Sequence, residues 1–322
     1  MIGNIILIII GFALLIKGAD LLVVGASKIA KKFNIPEIII GLTVVAIGTS
    51  LPELVVSTTS ALTGHSDISL GNVVGSNMAN LFLILGVCSI IRPLKFKKET
   101  IFFENPFVIA ITGLLFFLCL NNGGTQITRL EGGILLLLCV IFILYNIIMA
   151  KRGEKPEDGD EVQQDPEEPS SIDMYKSILF IVLGIIGLKY GGDFVVDNAV
   201  VIAQAIGISE KLISLTIVAI STSLPELITS VTATMKGETD LAIGNIVGSQ
   251  TFNILLILGT SSLLTPIGYA PSYNKDLVLL LAGSTVFALF PFIGEKNKMT
   301  RENGILFTIV YIVYMINIIM AN

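Results

Sequence analysis

Residues 46–54 read AIGTSLPEL, and residues 219–227 read AISTSLPEL. The two stretches lie 173 positions apart, and the match spreads outward from them. Residues 35–94 align on 208–267 without a gap, with about 30 of 60 positions identical. Such self-similarity marks an internal repeat. GNVVGSNMAN at 71–80 faces GNIVGSQTFN at 244–253, and GADLLV at 18–23 matches GGDFVV at 191–196. A duplication kept only for packing would preserve its apolar pattern first. Here Thr, Ser, Pro, Glu, Gly and Asn persist inside apolar surroundings, so the polar residues have a task.

Those surroundings are membrane-like. Of 322 residues, 53% are hydrophobic and 14% are charged, and the mean hydropathy is +0.86. Soluble domains carry about 25% charged residues. Apolar runs fall near 2–24, 37–62, 68–91, 103–120, 130–150, 174–204, 210–235, 240–264, 276–293 and 303–320. About 20 apolar residues span a bilayer core as a helix. The predicted fold is therefore all-α and integral to the membrane, with ten transmembrane helices. The first run lacks a small-residue cleavage site and reads as a retained helix. Composition excludes a disordered chain and a disulfide scaffold, and no basic stripe suggests nucleic acid. Cys88, Cys119 and Cys139 sit in apolar runs without metal or disulfide spacing.

Loop charge orients the helices. Lys28, Lys31, Lys32, Arg92, Lys95, Lys97, Lys98, Lys151, Arg152, Lys155, Lys236, Lys296, Lys298 and Arg301 fall after odd-numbered runs, against Arg129, Lys211 and Lys275 after even ones. By the positive-inside rule the first group is cytoplasmic and both termini lie outside. Residues 1–150 form a first five-helix half and 174–322 a second. Segment 151–173, rich in Asp, Glu and Pro, is a solvated cytoplasmic linker. Five spans is an odd number, so the second half enters the membrane upside down. Inverted repeats of this kind build secondary transporters, with the site at the midplane.

Glu53 and Glu226 lie deep in the second and seventh runs. A carboxylate at the bilayer centre costs at least ~2.5 kcal/mol on insertion scales, so it needs a cation, a proton or a partner. Thr49 and Ser50 can flank Glu53 at helical spacing, as Thr222 and Ser223 can flank Glu226. Pro52 and Pro225 lack an N–H, freeing the carbonyls of Gly48 and Ser221 and favouring a kink. Asn72, Ser76 and Asn80 are spaced along one helical face, as are Asn245, Ser249 and Asn253. Carboxylate, hydroxyl, amide and carbonyl oxygens suit hard cations such as Na⁺ and Ca²⁺. Elsewhere, Lys17 and Lys189 precede Asp20 and Asp193 by three and four residues, so local pairing or snorkelling is expected. The single histidine, His65, is placed in a short loop, which excludes a histidine proton relay.

These paired GTSLPE-type and GN-x-x-GS motifs resemble the α-repeats of the sodium/calcium exchanger family, within the cation/calcium antiporters. The resemblance covers the whole chain and is greatest to compact prokaryotic members of the inner membrane. It implies that Glu53 and Glu226 share Ca²⁺ and alternate it with Na⁺. It also implies ligands at Thr49, Ser50, Thr222, Ser223, Ser76, Ser249, Asn80 and Asn253, and backbone carbonyl ligands at Ala46 and Ala219. Potassium-dependent members carry Asp where this chain has Asn253, so the resemblance implies K⁺-independent exchange. Three Na⁺ against one Ca²⁺ would make it electrogenic. Alternating access would come from helices 1 and 6 sliding on a fixed core. No cofactor and no enzymatic activity are implied: Na⁺ and Ca²⁺ are the transported partners, the bilayer is the solvent, and a site complete in one chain fits a monomer. The alternative on the same fold is Ca²⁺/H⁺ or other divalent-cation antiport. A channel would place its filter between subunits, and a hydrolase would need a histidine or paired-aspartate motif.

Overall fold

A computed structural model describes residues 2–64, 66–121, 126–152, 171–206, 221–293 and 297–321. Among the described residues, eight continuous helices are long and apolar enough to span a bilayer. They are α1 (Ile2–Phe33), α3 (Ile68–Ile91), α4 (Thr100–Leu120), α5 (Arg129–Lys151), α6 (Met174–Ala205), α8 (Thr239–Leu264), α9 (Pro271–Phe292) and α10 (Arg301–Met320). A ninth span, α2, is broken into Glu37–Thr49 and Leu51–Leu62, which meet at 48°. The tenth, α7, is described over Leu224–Lys236. Residues 210–220 of its expected run lie outside the described residues, as do most of the acidic linker and His65.

The inversion is visible in two short antiparallel ribbons. β1 (Leu94–Lys95), after α3, pairs with β4 (Lys298–Met299), before α10. β2 (Gln126–Ile127), before α5, pairs with β3 (Ile267–Gly268), after α8. The repeat turns each ribbon into the other. One caps the end of the bundle where α3 finishes, and the other caps the opposite end, where α8 finishes. The same exchange governs helix packing. A Cβ on Gly132 of α5 would lie 2.8 Å from the Gly259 carbonyl of α8, and one on Gly304 of α10 would lie 2.6 Å from that of Gly86 in α3. Each half therefore supplies the helix that covers the other. The architecture is the ten-helix inverted repeat.

Depth of burial sorts the helices into layers. In α8, 94% of the apolar window is buried, against 17% in α10. The lipid-facing sides of α1, α5, α6 and α10 expose Ile, Leu, Val and Phe. Such surfaces are tolerated where lipid replaces water. The main core runs through α2, α3, α4, α5, α8, α9 and α10. A smaller cluster joins α1 and α6 to it through Ile40, Val45, Ala233, Leu241 and Ala242.

α1 and α6 form a tight antiparallel pair. Gly11, Gly18 and Gly25 recur every seven residues and face Gly191, Gly184 and Ser177. A Cβ at Gly18 would sit 2.8 Å from the Leu188 nitrogen. Small residues at such a seam bring helix backbones together in lipid.

Two expectations require correction. α1 continues to Phe33, so Lys28, Lys31 and Lys32 ride on its last turns and not in a loop. Lysine stems lie along an apolar helix while their ammonium groups reach water or a partner, so charge alone does not end the helix. Asp20 pairs with Lys236 of α7 instead of Lys17, whereas Lys189 and Asp193 do pair locally, at 2.8 Å. The three cysteines are buried and free.

Candidate ion-binding site

The breaks in α2 and α7 are built alike. Ser50 has φ −85° and ψ 8°, and Ser223 has φ −85° and ψ 2°. Each starts a new helix with proline at its beginning and glutamate in its first turn. Proline tolerates that position because its missing N–H would be unbonded there anyway. The fresh helix start aims positive dipole ends at the Glu53 and Glu226 carboxylates, favouring negative charge inside the membrane. Both segments stop at a left-handed glycine, Gly64 and Gly237, each with φ 87°. At Gly237 the N–H bonds back to the Thr234 carbonyl and that of Glu238 to Ala233, a Schellman-type stop.

Glu53 and Glu226 are each 1% exposed. Among the described residues neither forms an ion pair. Their surroundings come largely from the opposite half. Ser50 Oγ donates to Glu226 Oε1 at 2.8 Å and lies 3.2 Å from Ser249 Oγ. Thr49 Oγ1 lies 3.2 Å from Asn245 Oδ1, and its repeat counterpart Thr222 Oγ1 lies 3.3 Å from Asn72 Oδ1. Asn72 and Asn245 donate to Ser57 and Ser230, both at 2.9 Å. The side chains of Thr49 and Ser50 thus find partners in the other half, which helical spacing beside Glu53 does not reveal. The helix turns at Ser50, and the two hydroxyls meet partners across the interface.

Several of the anticipated residues keep polar atoms without a partner. Glu53 Oε2, Glu226 Oε2, Ser76 Oγ, Ser223 Oγ, Asn253 Oδ1 and both amide atoms of Asn80 are buried without a hydrogen-bond partner. An unsatisfied buried polar group costs about 1–3 kcal/mol, more when charged. A cluster of them, rich in oxygen and carrying two carboxylates, is chemistry suited to a dehydrated hard cation. Ala46 lies at the break, where its carbonyl accepts from Ser50 N–H at 3.0 Å and from Thr49 Oγ1 at 3.3 Å. Ala219 lies outside the described residues. A cavity of about 260 Å³ is lined by Gly48, Thr49, Pro52 and Pro225 of the breaks together with Ile185, Lys189 and Tyr190 of α6.

Helix widening places the two asparagines. α3 turns π-helical over Ala79–Ile84 and α8 over Asn253–Leu258, just where Asn80 and Asn253 stand. A regular i, i+4, i+8 face does not foresee this. π-turns frequently mark functional sites and re-aim the side chains they carry. Asn77 and Gln250 escaped sequence reasoning altogether. They occupy matched repeat positions and are each 1% exposed, but their identities differ and so carry no repeat signal.

Comparison with known proteins gives a consistent picture. Residues 3–148 and 176–320 match the family described as sodium/calcium exchanger protein. The chain is 36% identical to inner membrane protein YrbG of Escherichia coli strain K12, covering 96% of this chain and 94% of that protein. It is 30% identical to sodium/calcium exchanger MaX1 of Methanosarcina acetivorans, covering 97% of each. A solved structure of the sodium-calcium exchanger NCX_Mj, soaked with Na⁺ and Ca²⁺, superposes with a TM-score of 0.83 at 30% identity over 97% of both chains.

Proposed function

Because the chain belongs to the sodium/calcium exchanger family, a family of cation/Ca²⁺ antiporters, we propose that it exchanges Na⁺ for Ca²⁺ by alternating access. The observation that carries this reading is the buried pair Glu53 and Glu226, set at matching helix breaks among unpartnered oxygens. Two carboxylates carry two negative charges, which one Ca²⁺ neutralises. Asn80, Asn253, Ser76, Ser249, Thr49, Ser50, Thr222 and Ser223 supply neutral oxygens, with the Ala46 and Ala219 carbonyls completing the set. Na⁺ and Ca²⁺ then exclude one another by competing for the same carboxylates. Three Na⁺ would exceed the site charge by one, making exchange electrogenic. One charge moved through 100 mV is worth about 2.3 kcal/mol, enough to drive Ca²⁺ outward in a cell with a negative interior. An amide at Asn253 in place of an acid supports K⁺ independence.

The paired helices α1 and α6 are the moving body in this reading, since they contact the main core through a separate small cluster. The end where α1 finishes bears Lys31, Lys97, Lys298 and Arg301 and faces the cytoplasm by the positive-inside rule. Both termini then lie outside. The membrane is the inner membrane of a prokaryotic cell, as the name of the YrbG relative states for that protein. The halves are 1–150 and 174–322, with 151–173 as a solvated link, and one chain holds a whole site.

The test is Ca²⁺ uptake into proteoliposomes preloaded with Na⁺, with equal Na⁺ on both sides as control. Uptake only with the outward Na⁺ gradient supports the proposal. Uptake driven by a proton gradient and indifferent to Na⁺ overturns it in favour of Ca²⁺/H⁺ antiport.

A further inference from the structure

The two asparagines read as ion ligands, Asn80 and Asn253, are held differently. Asn253 Nδ2 donates to Asn77 Oδ1 at 2.9 Å, and Asn77 Nδ2 donates to the main-chain carbonyl of Gln250 at 3.4 Å. A carbonyl oxygen only accepts. The Gln250 carbonyl therefore draws the nitrogen of Asn77 toward itself and leaves the oxygen of Asn77 facing Asn253. That oxygen also only accepts, so Asn253 must offer it nitrogen. The amide oxygen of Asn253 is then turned the other way, where it is buried and unpartnered.

We propose that Asn77 is a positioning residue for ion binding, holding the amide of Asn253 with its oxygen toward the transported cation. The inference rests on the reading of Asn253 as an ion ligand. A reversed amide would present N–H groups to a cation, whereas Ca²⁺ takes carbonyl oxygens of asparagine as ligands. Among the described residues the relay exists once. At the position equivalent to Asn77 the second half has Gln250, whose Nε2 has no partner, and both amide atoms of Asn80 are likewise unpartnered. Asn253 is oriented before the ion arrives, and Asn80 is oriented by the ion.

A double-mutant cycle on the full chain tests this, read by equilibrium binding of radioactive Ca²⁺ and by exchange. Asn77→Ala is expected to weaken Ca²⁺ binding about tenfold, which is about 1.4 kcal/mol. KM should rise in proportion, with the maximal rate within about twofold of wild type. Asn253→Ala should weaken binding by a similar or larger factor, and adding Asn77→Ala to it should cost nothing more. If Asn77→Ala does not give monodisperse protein, Asn77→Ser, which keeps an acceptor for Asn253, takes its place with a smaller loss that again vanishes beside Asn253→Ala. An equal loss from the Asn77 change in both backgrounds overturns the relay. A change in maximal rate with unchanged affinity does so too. Normal Ca²⁺ binding in Asn253→Ala alone removes the ligand reading on which the relay depends, while Ca²⁺ binding without Na⁺-driven flux in the wild type would fault only the coupling ion.

Discussion

The two halves share their breaks, their glutamates and their helix stops, yet they are bonded differently. On the second-half side, Glu226 takes a hydrogen bond from Ser50, which also lies beside Ser249. On the first-half side, Ser223 and Ser76 hold equivalent positions without partners. A pseudo-symmetric backbone therefore carries one closed and one open cluster. The repeat sets what the two clusters are made of, and the asymmetry decides which of their groups are already hydrogen-bonded.

The harshest way to break this comparison is to neutralise either glutamate. Glu53→Gln or Glu226→Gln should lower Ca²⁺ exchange by at least about 100-fold, because removing a charge partner buried in low dielectric costs several kcal/mol. Tracer flux in folded, monodisperse variants checks it, and near-normal flux in either variant would remove that glutamate from the site.

Next is the seam between α1 and α6. Gly18→Leu drives a side chain into α6, where a Cβ alone would lie 2.8 Å from the Leu188 nitrogen. Overpacking of this kind costs about 1–3 kcal/mol. The melting temperature should fall and exchange with it. Gly113→Leu, where a Cβ meets nothing within 4 Å, should change neither.

Serine substitutions sharpen the asymmetry itself. Ser50→Ala removes a hydrogen bond to a buried carboxylate, worth about 1.5–3 kcal/mol, and should destabilise the ion-free protein. Ser223→Ala removes no bond from the ion-free state and should leave its melting temperature unchanged, while reducing the thermal shift that Ca²⁺ produces. Identical behaviour of the two variants would show that the clusters are equivalent in solution. The smallest effect belongs to Lys236→Ala. Its ion pair with Asp20 is partly exposed, so the expected loss is under about 1 kcal/mol in thermal or chemical unfolding.

Much of this arrangement was legible in the sequence because lipid enforces simple rules. A run of apolar residues must be helical, so most of the spans fell within a few residues of their observed ends. Pro52 foretold the break in α2, since a residue without an N–H cannot continue the ladder. The end of α1 was misjudged because three lysines resemble a loop when only polarity is read. The partners of Thr49 and Ser50 were hidden for a different reason: helical spacing describes neighbours on one helix and says nothing about the helix opposite. The π-turns at Asn80 and Asn253 have no residue signature at all. They arise from packing, and packing is written in both halves together.

The crossed ribbons bear on how such a chain is made. α5 presents Gly132 to Gly259 of α8, and β2 has its partner in β3. When the first five helices have entered the bilayer, neither surface has anything to close upon. Closure of these two surfaces waits until synthesis has passed residue 268, and the face of α3 that Gly304 covers waits for α10, so the first half resides in lipid incompletely packed until then. Two half-chains expressed separately should accordingly stay incomplete when alone and assemble when mixed during membrane insertion.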